Sequence, residues 1–166
     1  YQIGEGIAVK AGNPLNLHSY EDMAKAQVKI GAMSGSAEIK ALKAIGVTDS
    51  QIVSVPDQPS ALAALQAGRV DVITMSGPAL QSVLDTAKDS GIERVKEFSQ
   101  PVIDGKSVVG YGAAVFRKAD TDFLEAYNKE LAAMEKSGEL LEIIKPFGFT
   151  EENLPGGITV EQVLAQ

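Results

Sequence analysis

The sequence predicts an α/β fold in which an open, mostly parallel sheet carries helices on both faces. Strand-length apolar segments alternate with helical segments over the first two thirds of the 166 residues. Several of the turns between them follow a strand and open a helix, as Ser34-Gly35-Ser36 does. This alternation is typical of parallel sheets, because two parallel strands need a crossover connection that a helix usually supplies.

The boundaries of the elements follow from local signals. A strand over Ile7–Lys10 is stopped by Gly12-Asn13-Pro14, and Ser19 is the predicted N-cap of a short helix. We predict further strands over 28–33, 51–55, 70–75, 93–98 and 108–116, and helices from the 34–36 turn to about residue 45, over 59–67 and over 78–88. A long amphipathic helix over 120–136, a second helix from Ser137-Gly138-Glu139 and a last helical turn or two in the tail complete the chain.

Composition and charge exclude several classes of function. The net charge is −7, with 15 Lys and Arg among 22 Asp and Glu, so we expect no nucleic-acid partner. The apolar runs are shorter than the roughly 20 residues of a membrane-spanning helix. With no cysteine and a single histidine, His18, the chain offers no metal site, and we predict an exposed His18 without a role.

Sequence motifs of cofactor binding and triad catalysis are absent. The chain contains no Gly-x-x-x-x-Gly-Lys-Ser/Thr loop, no Gly-x-Gly-x-x-Gly and no Gly-x-Ser-x-Gly elbow. Paired acids such as Glu151 with Glu152 lie in polar stretches and are best explained as solvated surface. We therefore expect no cofactor and no catalytic residues.

Two polar turns are the candidate binding elements. Ser34-Gly35-Ser36-Ala37-Glu38 joins a strand to a helix, where free backbone N–H groups and the helix dipole favour a carboxylate or phosphate. The alternative is that Ser36 only caps the helix and Gly35 only makes the turn. Thr74-Met75-Ser76-Gly77-Pro78 ends another strand of the same sheet and could simply start a helix. Ligands of open α/β sheets bind at the carboxyl ends of strands, so the two turns could converge on one small polar solute.

Four segments together resemble one protein family. They are Lys10-Ala11-Gly12-Asn13-Pro14, the turn Ser34-Gly35-Ser36, the run 55–71 with its Ala-Leu-x-Ala-Gly-Arg-Val-Asp core, and 110–118. In order and spacing they resemble the polar amino-acid branch of the family 3 periplasmic solute-binding proteins of ABC importers. Segments 13–22 and 100–112 are most similar to the ectoine/hydroxyectoine-binding members. The resemblance implies a type II periplasmic-binding lobe, a small zwitterionic solute and membrane permease subunits as partners.

The resemblance also implies a ligand site, which comprises Ser34, Gly35, Ser36, Ala37, Ser76 and Gly77. In this site the N–H groups of Ser36 and Ala37 would receive the ligand carboxylate, and the Ser76 hydroxyl would satisfy a polar edge. The family usually has Gly-Thr-Thr in place of Gly35-Ser36-Ala37, and an Asp for the ligand ammonium in place of Ser76. Without that Asp a standard α-amino acid is disfavoured relative to a cyclic zwitterion such as ectoine, whose delocalised cation can be held by aromatic faces and an acid elsewhere.

The domain organisation is expected from the same resemblance. Residues 1–116 would form the second lobe, bounded by hinge strands over Tyr1–Lys10 and Val108–Arg117, and residues 117–166 would be helices that pack on a first lobe. That first lobe would be missing from this chain. The exposed apolar helix faces could then pair two copies into a homodimer.

Three other functions stay open at this stage. An enzyme on this scaffold is one, since cyclohexadienyl dehydratases look similar, but it needs an acid–base pair in the cleft. The candidate turns contain only Glu38, which we expect to point outward. A sensory or effector domain on the same fold is the second, and a half-protein that binds nothing is the third.

Overall fold

The computed structural model describes residues 1–88 and 91–165, which divide into two compact units. The sheet unit comprises Gly4–Val109, and the helical unit comprises Tyr1–Ile3 with the chain from Gly110 onward. Each unit is described by itself below. No helix within the described ranges combines the length and the hydropathy that crossing a bilayer requires.

The secondary structure contains short strands and seven α-helices among the described residues. In chain order these elements are β1 (Gln2–Ile3), β2 (Glu5–Lys10), α1 (Tyr20–Ala26), β3 (Ile30–Met33), α2 (Ala37–Ala44), β4 (Ile52–Val55), α3 (Gln58–Gln66), β5 (Val72–Ser76), α4 (Gly77–Ala87), β6 (Ile92–Arg94), β7 (Val102–Ile103), β8 (Lys106–Ser107), β9 (Gly110–Tyr111), α5 (Thr121–Ser137), α6 (Glu139–Ile144) and α7 (Val160–Leu164).

The central sheet has five strands in the order β4-β3-β5-β2-β6. Strand β3 is parallel to both β4 and β5, whereas β2 is antiparallel to both of its neighbours, β5 and β6. Four of the five strands therefore share one direction, and only β2 opposes it. The predicted α/β class with a mostly parallel sheet is confirmed.

The sheet separates two apolar cores. Because successive side chains of a strand point to opposite faces, Ile7 and Val9 of β2 lie in one core and Ala8 in the other. The first core includes buried residues of α1 and α2, and the second includes buried residues of α3 and α4. Helices thus cover both faces of the sheet, as the alternation of elements predicts.

Helix ends in the sheet unit follow the sequence signals at most positions. The Ser19 hydroxyl accepts a hydrogen bond from the Asp22 N–H at 3.1 Å, which confirms the predicted N-cap of α1. The Asp57 carboxylate caps α3 in the same way through the Ser60 N–H at 2.8 Å. Gly46 follows α2 with a φ of +99°, a conformation that favours glycine and ends the helix.

The predicted long strand over 108–116 is wrong. Only Gly110 and Tyr111 form a strand, β9, which pairs with the two residues of β1. A strand needs a partner for its backbone groups, and β1 is too short to extend the ladder further. Beyond it the chain from 113 to 116 is irregular, and Val115 is 95% exposed. The strand predicted over 93–98 is also shorter, since β6 ends at Arg94.

The helical unit is organised around α5 and small aromatic contacts. The Phe116 ring lies 5.3 Å from that of Phe123 and 5.1 Å from that of Tyr127, so the irregular segment packs on the first turns of α5. The Asn153 side chain donates to the Gln2 carbonyl at 2.9 Å, which ties β1 to the C-terminal tail. Large apolar side chains of this unit are exposed, with Phe147 at 70%.

A buried hydroxyl pair in the sheet unit supports the first prediction. The Tyr20 and Thr74 hydroxyls are 2.6 Å apart, and the Thr74 hydroxyl also donates to the Gly6 carbonyl at 3.2 Å. Thr74→Val leaves the Tyr20 hydroxyl buried without a partner and should cost about 2 kcal/mol in the free energy of unfolding. Tyr20→Phe leaves Thr74 its bond to Gly6 and should cost about 1 kcal/mol.

Urea unfolding of both variants and of the double variant measures these costs. The free energy of unfolding should fall less in the double variant than the sum of the two single losses, because the double variant has no Tyr20 hydroxyl left buried without a partner. Unfolding curves for Thr74→Val that coincide with those of the unmodified chain would contradict the importance of the pair.

Candidate functional site

The predicted site residues lie along one edge of the central sheet. Strands β3 and β5 are parallel neighbours, so their carboxyl ends, at Met33 and Ser76, meet at the same edge. Strand β2 is antiparallel, and its first residue, Glu5, is paired with Ser76 in the register. We call this the binding edge, defined by the turn 34–37, by Ser76 with Gly77, and by Glu5. The structure therefore brings both predicted turns to one side of the sheet.

The turn from β3 into α2 is fixed by backbone hydrogen bonds. The Ser34 N–H donates to the Val55 carbonyl at 2.9 Å, and the Ser36 N–H donates to the Met33 carbonyl at 3.1 Å. Gly35 adopts a φ of +75°, which an L side chain rarely accepts. The expectation that the Ser36 N–H is a free donor is wrong, since the turn uses it. The Ala37 N–H is the first donor of α2.

Polar groups at the start of α2 lack hydrogen-bond partners among the described residues. Ser36 is the N-cap residue, but its side chain makes no capping hydrogen bond, so the alternative that Ser36 merely caps the helix is not what the structure contains. Its hydroxyl oxygen is buried and has no hydrogen-bond partner within the described chain. The first N–H groups of a helix have no acceptor inside the helix. This helix end thus combines unused backbone donors with an unused hydroxyl.

The second predicted turn is arranged differently. The Gly77 N–H, the first of α4, donates to the Gly4 carbonyl at 2.9 Å, so this donor is used inside the sheet unit. A Cβ at Gly77 would lie 3.2 Å from Nη2 of Arg94 and 3.5 Å from the Gly4 carbonyl oxygen, so there is little space for a side chain here. Ser76 precedes α4 and makes no capping bond. In this turn the Ser76 hydroxyl is available to a ligand. Gly77 has no side chain to offer, and its absence of a Cβ leaves space for the Arg94 side chain at the edge.

Glu5 is the functional candidate that sequence reasoning missed. The Gln100 side chain makes two hydrogen bonds with the backbone of Glu5. The Glu5 N–H donates to the side-chain carbonyl oxygen of Gln100 at 2.8 Å, and the side-chain amide of Gln100 donates to the Glu5 backbone carbonyl at 2.9 Å. Oxygen Oε2 of Glu5 is buried without a hydrogen-bond partner among the described residues. No local motif marks this acid, because it reaches the edge only through the antiparallel pairing of β2 with β5.

Glu38 faces Glu5, and the expectation that Glu38 points outward is wrong. Glu38 lies in the first turn of α2 and is half-buried. Burial, the charge of Glu38 and a side-chain hydrogen bond with Glu38 together raise the pKa of Glu5 to about 7, and burial has the largest effect. A hydrogen bond between two carboxyl groups needs a proton on one of them. We call these two residues the carboxyl pair.

Tyr20 completes the polar surroundings of the carboxyl pair. Its side chain is buried, and its hydroxyl is engaged by Thr74. Burial and the nearby negative charge of Glu5 both raise the pKa of this phenol, while the bond to Thr74 acts in the opposite direction. Tyr20 is therefore neutral at physiological pH and cannot neutralise the carboxyl pair.

Two other features lie outside the binding edge. His18 is half-buried rather than exposed as predicted, and its Nδ1 lies 3.0 Å from the Glu97 carbonyl oxygen. A cavity of about 190 Å³ opens at the opposite edge of the sheet, near the end of β2. Its lining residues are Val9, Lys10, Asn13, Pro14, Leu15 and Asp71.

The binding edge has the chemistry of a site for a dipolar molecule. The N-terminus of α2 carries partial positive charge and N–H donors, and the carboxyl pair beside it carries negative charge and acceptors. In the described ranges no group of three or more His, Cys, Asp or Glu side chains could hold a metal ion. The arrangement suits binding of an anionic and a cationic group a short distance apart.

Comparison with known proteins identifies the type of lobe. No family model matches the chain. A probable amino-acid ABC transporter periplasmic-binding protein, y4tE, from Sinorhizobium fredii (strain NBRC 101917 / NGR234) is 34% identical over 152 residues, which are 91% of this chain and 49% of that protein. The chain therefore spans about half the length of this curated relative.

Solved structures show the same relationship. The crystal structure of EhuB in complex with hydroxyectoine is 36% identical, with a TM-score of 0.61 over 90% of this chain and 56% of that one. An ancestral arginine-binding protein bound to glutamine is 26% identical, with a TM-score of 0.56 over 89% of this chain and 60% of that one.

These matches confirm the resemblance inferred from the sequence motifs. The chain spans between about half and three fifths of the length of these three proteins. The protein has the α/β fold of a type II periplasmic-binding domain, and over most of its length it is similar in sequence to a probable amino-acid ABC transporter periplasmic-binding protein and to EhuB.

Proposed function

We propose that this protein is the substrate-binding component of an ABC importer, and that it binds a small zwitterionic solute of the ectoine and hydroxyectoine type. It would work outside the cytoplasm, in the periplasm, and deliver the solute to the permease subunits in the membrane. The solute-binding proteins among its relatives support the transport role. The structure of EhuB with hydroxyectoine supports the class of solute.

One observation carries the proposal: the uncapped start of α2 lies beside a carboxyl pair at the same sheet edge. A carboxylate of the solute would accept hydrogen bonds from the Ala37 N–H and the Ser36 hydroxyl. The Ser76 hydroxyl would contact a polar group between the two ends. A zwitterion satisfies both charges of the edge at once, whereas a simple anion would meet repulsion from the carboxyl pair.

A polar amino acid is the alternative solute. The match to an ancestral arginine-binding protein with bound glutamine favours it, although at lower identity than the hydroxyectoine complex. An α-ammonium is a compact, strongly hydrated cation and is costly to bury unless acceptors surround it. Ser76 offers one neutral oxygen where the resembled family has a carboxylate. A delocalised cyclic cation needs fewer direct acceptors, so we favour ectoine-type solutes.

The proposal includes the organisation of the whole protein. Residues 1–116 would be the second of two lobes, and the helices of 117–166 would pack on the first lobe. The solute would be held between the two lobes. Apolar side chains exposed on α5, including Phe123 and Tyr127, support such packing. Pairing of two copies through the same surface is the other way to cover them.

We further propose that the protein binds its solute without transforming it. The carboxyl pair reopens the question of an enzyme, because an acid with a pKa of about 7 can act as a general acid or base. The homology to solute-binding proteins favours binding alone. Incubation with prephenate, followed by absorbance, tests the dehydratase alternative, and turnover would refute our proposal.

Calorimetric titration tests the proposed solute. The purified chain is titrated with hydroxyectoine, ectoine, glutamine and arginine, and its mass in solution is measured on the same sample. A second sample joins the chain to the N-terminal half of the Sinorhizobium fredii relative. We expect saturable binding of ectoine and hydroxyectoine and weaker binding of the amino acids. Absence of binding in both samples would contradict the proposal.

The Ala37→Pro variant tests whether the Ala37 N–H donates a hydrogen bond to the solute. Proline is well suited to the first position of a helix and removes only the N–H. Ser36 before it has φ −70° and ψ 163°, which a residue preceding proline readily adopts, and the first turns of α3 and α4 already contain a proline as their second residue. We expect affinity for hydroxyectoine to fall about 10-fold, the effect of one hydrogen bond to a charged group.

The matched control is Ala37→Ser, which retains the N–H and should bind within about twofold of the unmodified chain. Thermal unfolding of both variants verifies that α2 is intact. Equal affinities for the proline and serine variants would show that the Ala37 N–H does not contact the solute.

A further inference from the structure

Glu5 has an unusual position for an acidic side chain. Its Oε2 oxygen is buried and lacks a hydrogen-bond donor within the described chain, and the Ser36 hydroxyl oxygen at the same edge is buried and unpartnered as well. Buried polar atoms are nearly always hydrogen-bonded, so each exception needs an explanation. Two exceptions at one edge, next to an uncapped helix start, indicate that a bound molecule completes them.

The backbone geometry fixes where the Glu5 carboxyl lies. The two hydrogen bonds from Gln100 hold the Glu5 backbone, and the β2–β5 register sets it against Ser76. Gly4 makes room for this arrangement, since a Cβ there would lie 2.6 Å from the Gln100 side-chain oxygen. The Glu5 side chain is therefore presented at the edge by a rigid strand rather than by a loop.

Within the described ranges, no charged or titratable group near Glu5 provides it with a counter-ion. Glu38 of α2 is an acid, Tyr20 of α1 is neutral and bound to Thr74, and Ser76 of β5 is uncharged. Arg94 of β6 donates to the Gly77 carbonyl and to the Gln81 side chain, both at 3.4 Å. A cation that arrives with the solute would be the missing partner.

We infer that Glu5, with Glu38 facing it, accepts the cationic group of the solute and so determines specificity for zwitterions. This inference rests on the proposed function and adds the residues that select the charge of the solute. The solute carboxylate would bind at the start of α2, while its cation would bind between the two glutamates and donate to Oε2 of Glu5.

Proton release accompanies such binding. With a pKa of about 7, Glu5 holds a proton below neutral pH and in roughly half of the molecules at pH 7, and that proton joins it to Glu38. A cation between the two carboxyl groups favours their ionised forms, so Glu5 releases its proton to the solvent as the solute binds. The affinity should therefore rise with pH below about 7 and level off above it.

The same proton links stability to pH without any solute. The folded-state pKa of Glu5 lies above its ordinary value of 4.5, so the folded protein binds more protons than the unfolded chain between these values. The contribution of Glu5 to the free energy of unfolding is therefore most favourable below pH 4.5 and is lost as the pH rises through about 7. Asp22 and Asp57, whose pKa values are lowered by hydrogen bonds, titrate below this window.

Glu5→Gln is the test variant, because glutamine has nearly the same shape and cannot ionise. Hydroxyectoine is titrated calorimetrically from about pH 5 to about pH 8, in buffers of different ionisation enthalpy that reveal released protons. We expect Glu5→Gln to reduce affinity above pH 7 by about 30-fold or more and to abolish both proton release and pH dependence. Glu38→Gln should weaken binding as well.

Glu93→Gln is the matched control, since Glu93 is an exposed acid on β6 away from the binding edge. It should change neither the affinity nor its pH dependence. Melting temperatures over the same pH range provide the readout without solute. The unmodified chain should lose stability between pH 5 and pH 7, whereas Glu5→Gln should lose less and remain at least as stable at pH 8.

The outcomes separate the two proposals. Hydroxyectoine binding that Glu5→Gln leaves unchanged, with no proton released, would overturn the role of the carboxyl pair and leave the transport function standing. Failure of the unmodified chain and of its joined form to bind any zwitterion would overturn both. Binding that depends on Glu5 and releases a proton supports both.

Discussion

Strand β2 lies between β5 and β6 and runs against both of them, and most of the sheet unit depends on this pairing. Its alternating side chains enter both apolar cores, so each face of the sheet is packed around the same strand. The reversed direction brings the first residue of β2, rather than its last, to the edge where β3 and β5 end. In this way one backbone register places an acid beside two helix starts.

The starts of α2 and α4, which both lie at that edge, differ in how their first N–H groups are used. At α4 the first N–H donates to the Gly4 carbonyl, whereas at α2 the first N–H and the N-cap hydroxyl have no hydrogen-bond partner among residues 1–88 and 91–165. The difference arises from the chain just before β2, which lies close to α4. Of these two helix starts, α2 is therefore the one whose first N–H stays available to an anionic group, and the carboxyl pair lies beside it.

Much of the fold could be predicted from the sequence, because the relevant signals are local. Ser19 caps α1 as its position indicates, and the strand and helix periods identify both faces of the sheet. The predicted strand over 108–116 fails because apolar character alone cannot show whether a partner strand exists. Glu5 and Glu38 were missed or misplaced for a related reason: their approach depends on a strand pairing between residues about seventy positions apart, which no local motif records.

Both hydrogen bonds between the Gln100 side chain and Glu5 involve backbone atoms of Glu5. Strand β2 is consequently anchored at this position whatever side chain residue 5 carries, and the cost of replacing that side chain is confined to its immediate neighbours. Under the proposed role of Glu5, divergence at a single codon would alter the charge that the site prefers while the scaffold stays intact. For protein engineering, residue 5 is a position where new ligand preferences can be screened with little risk to folding.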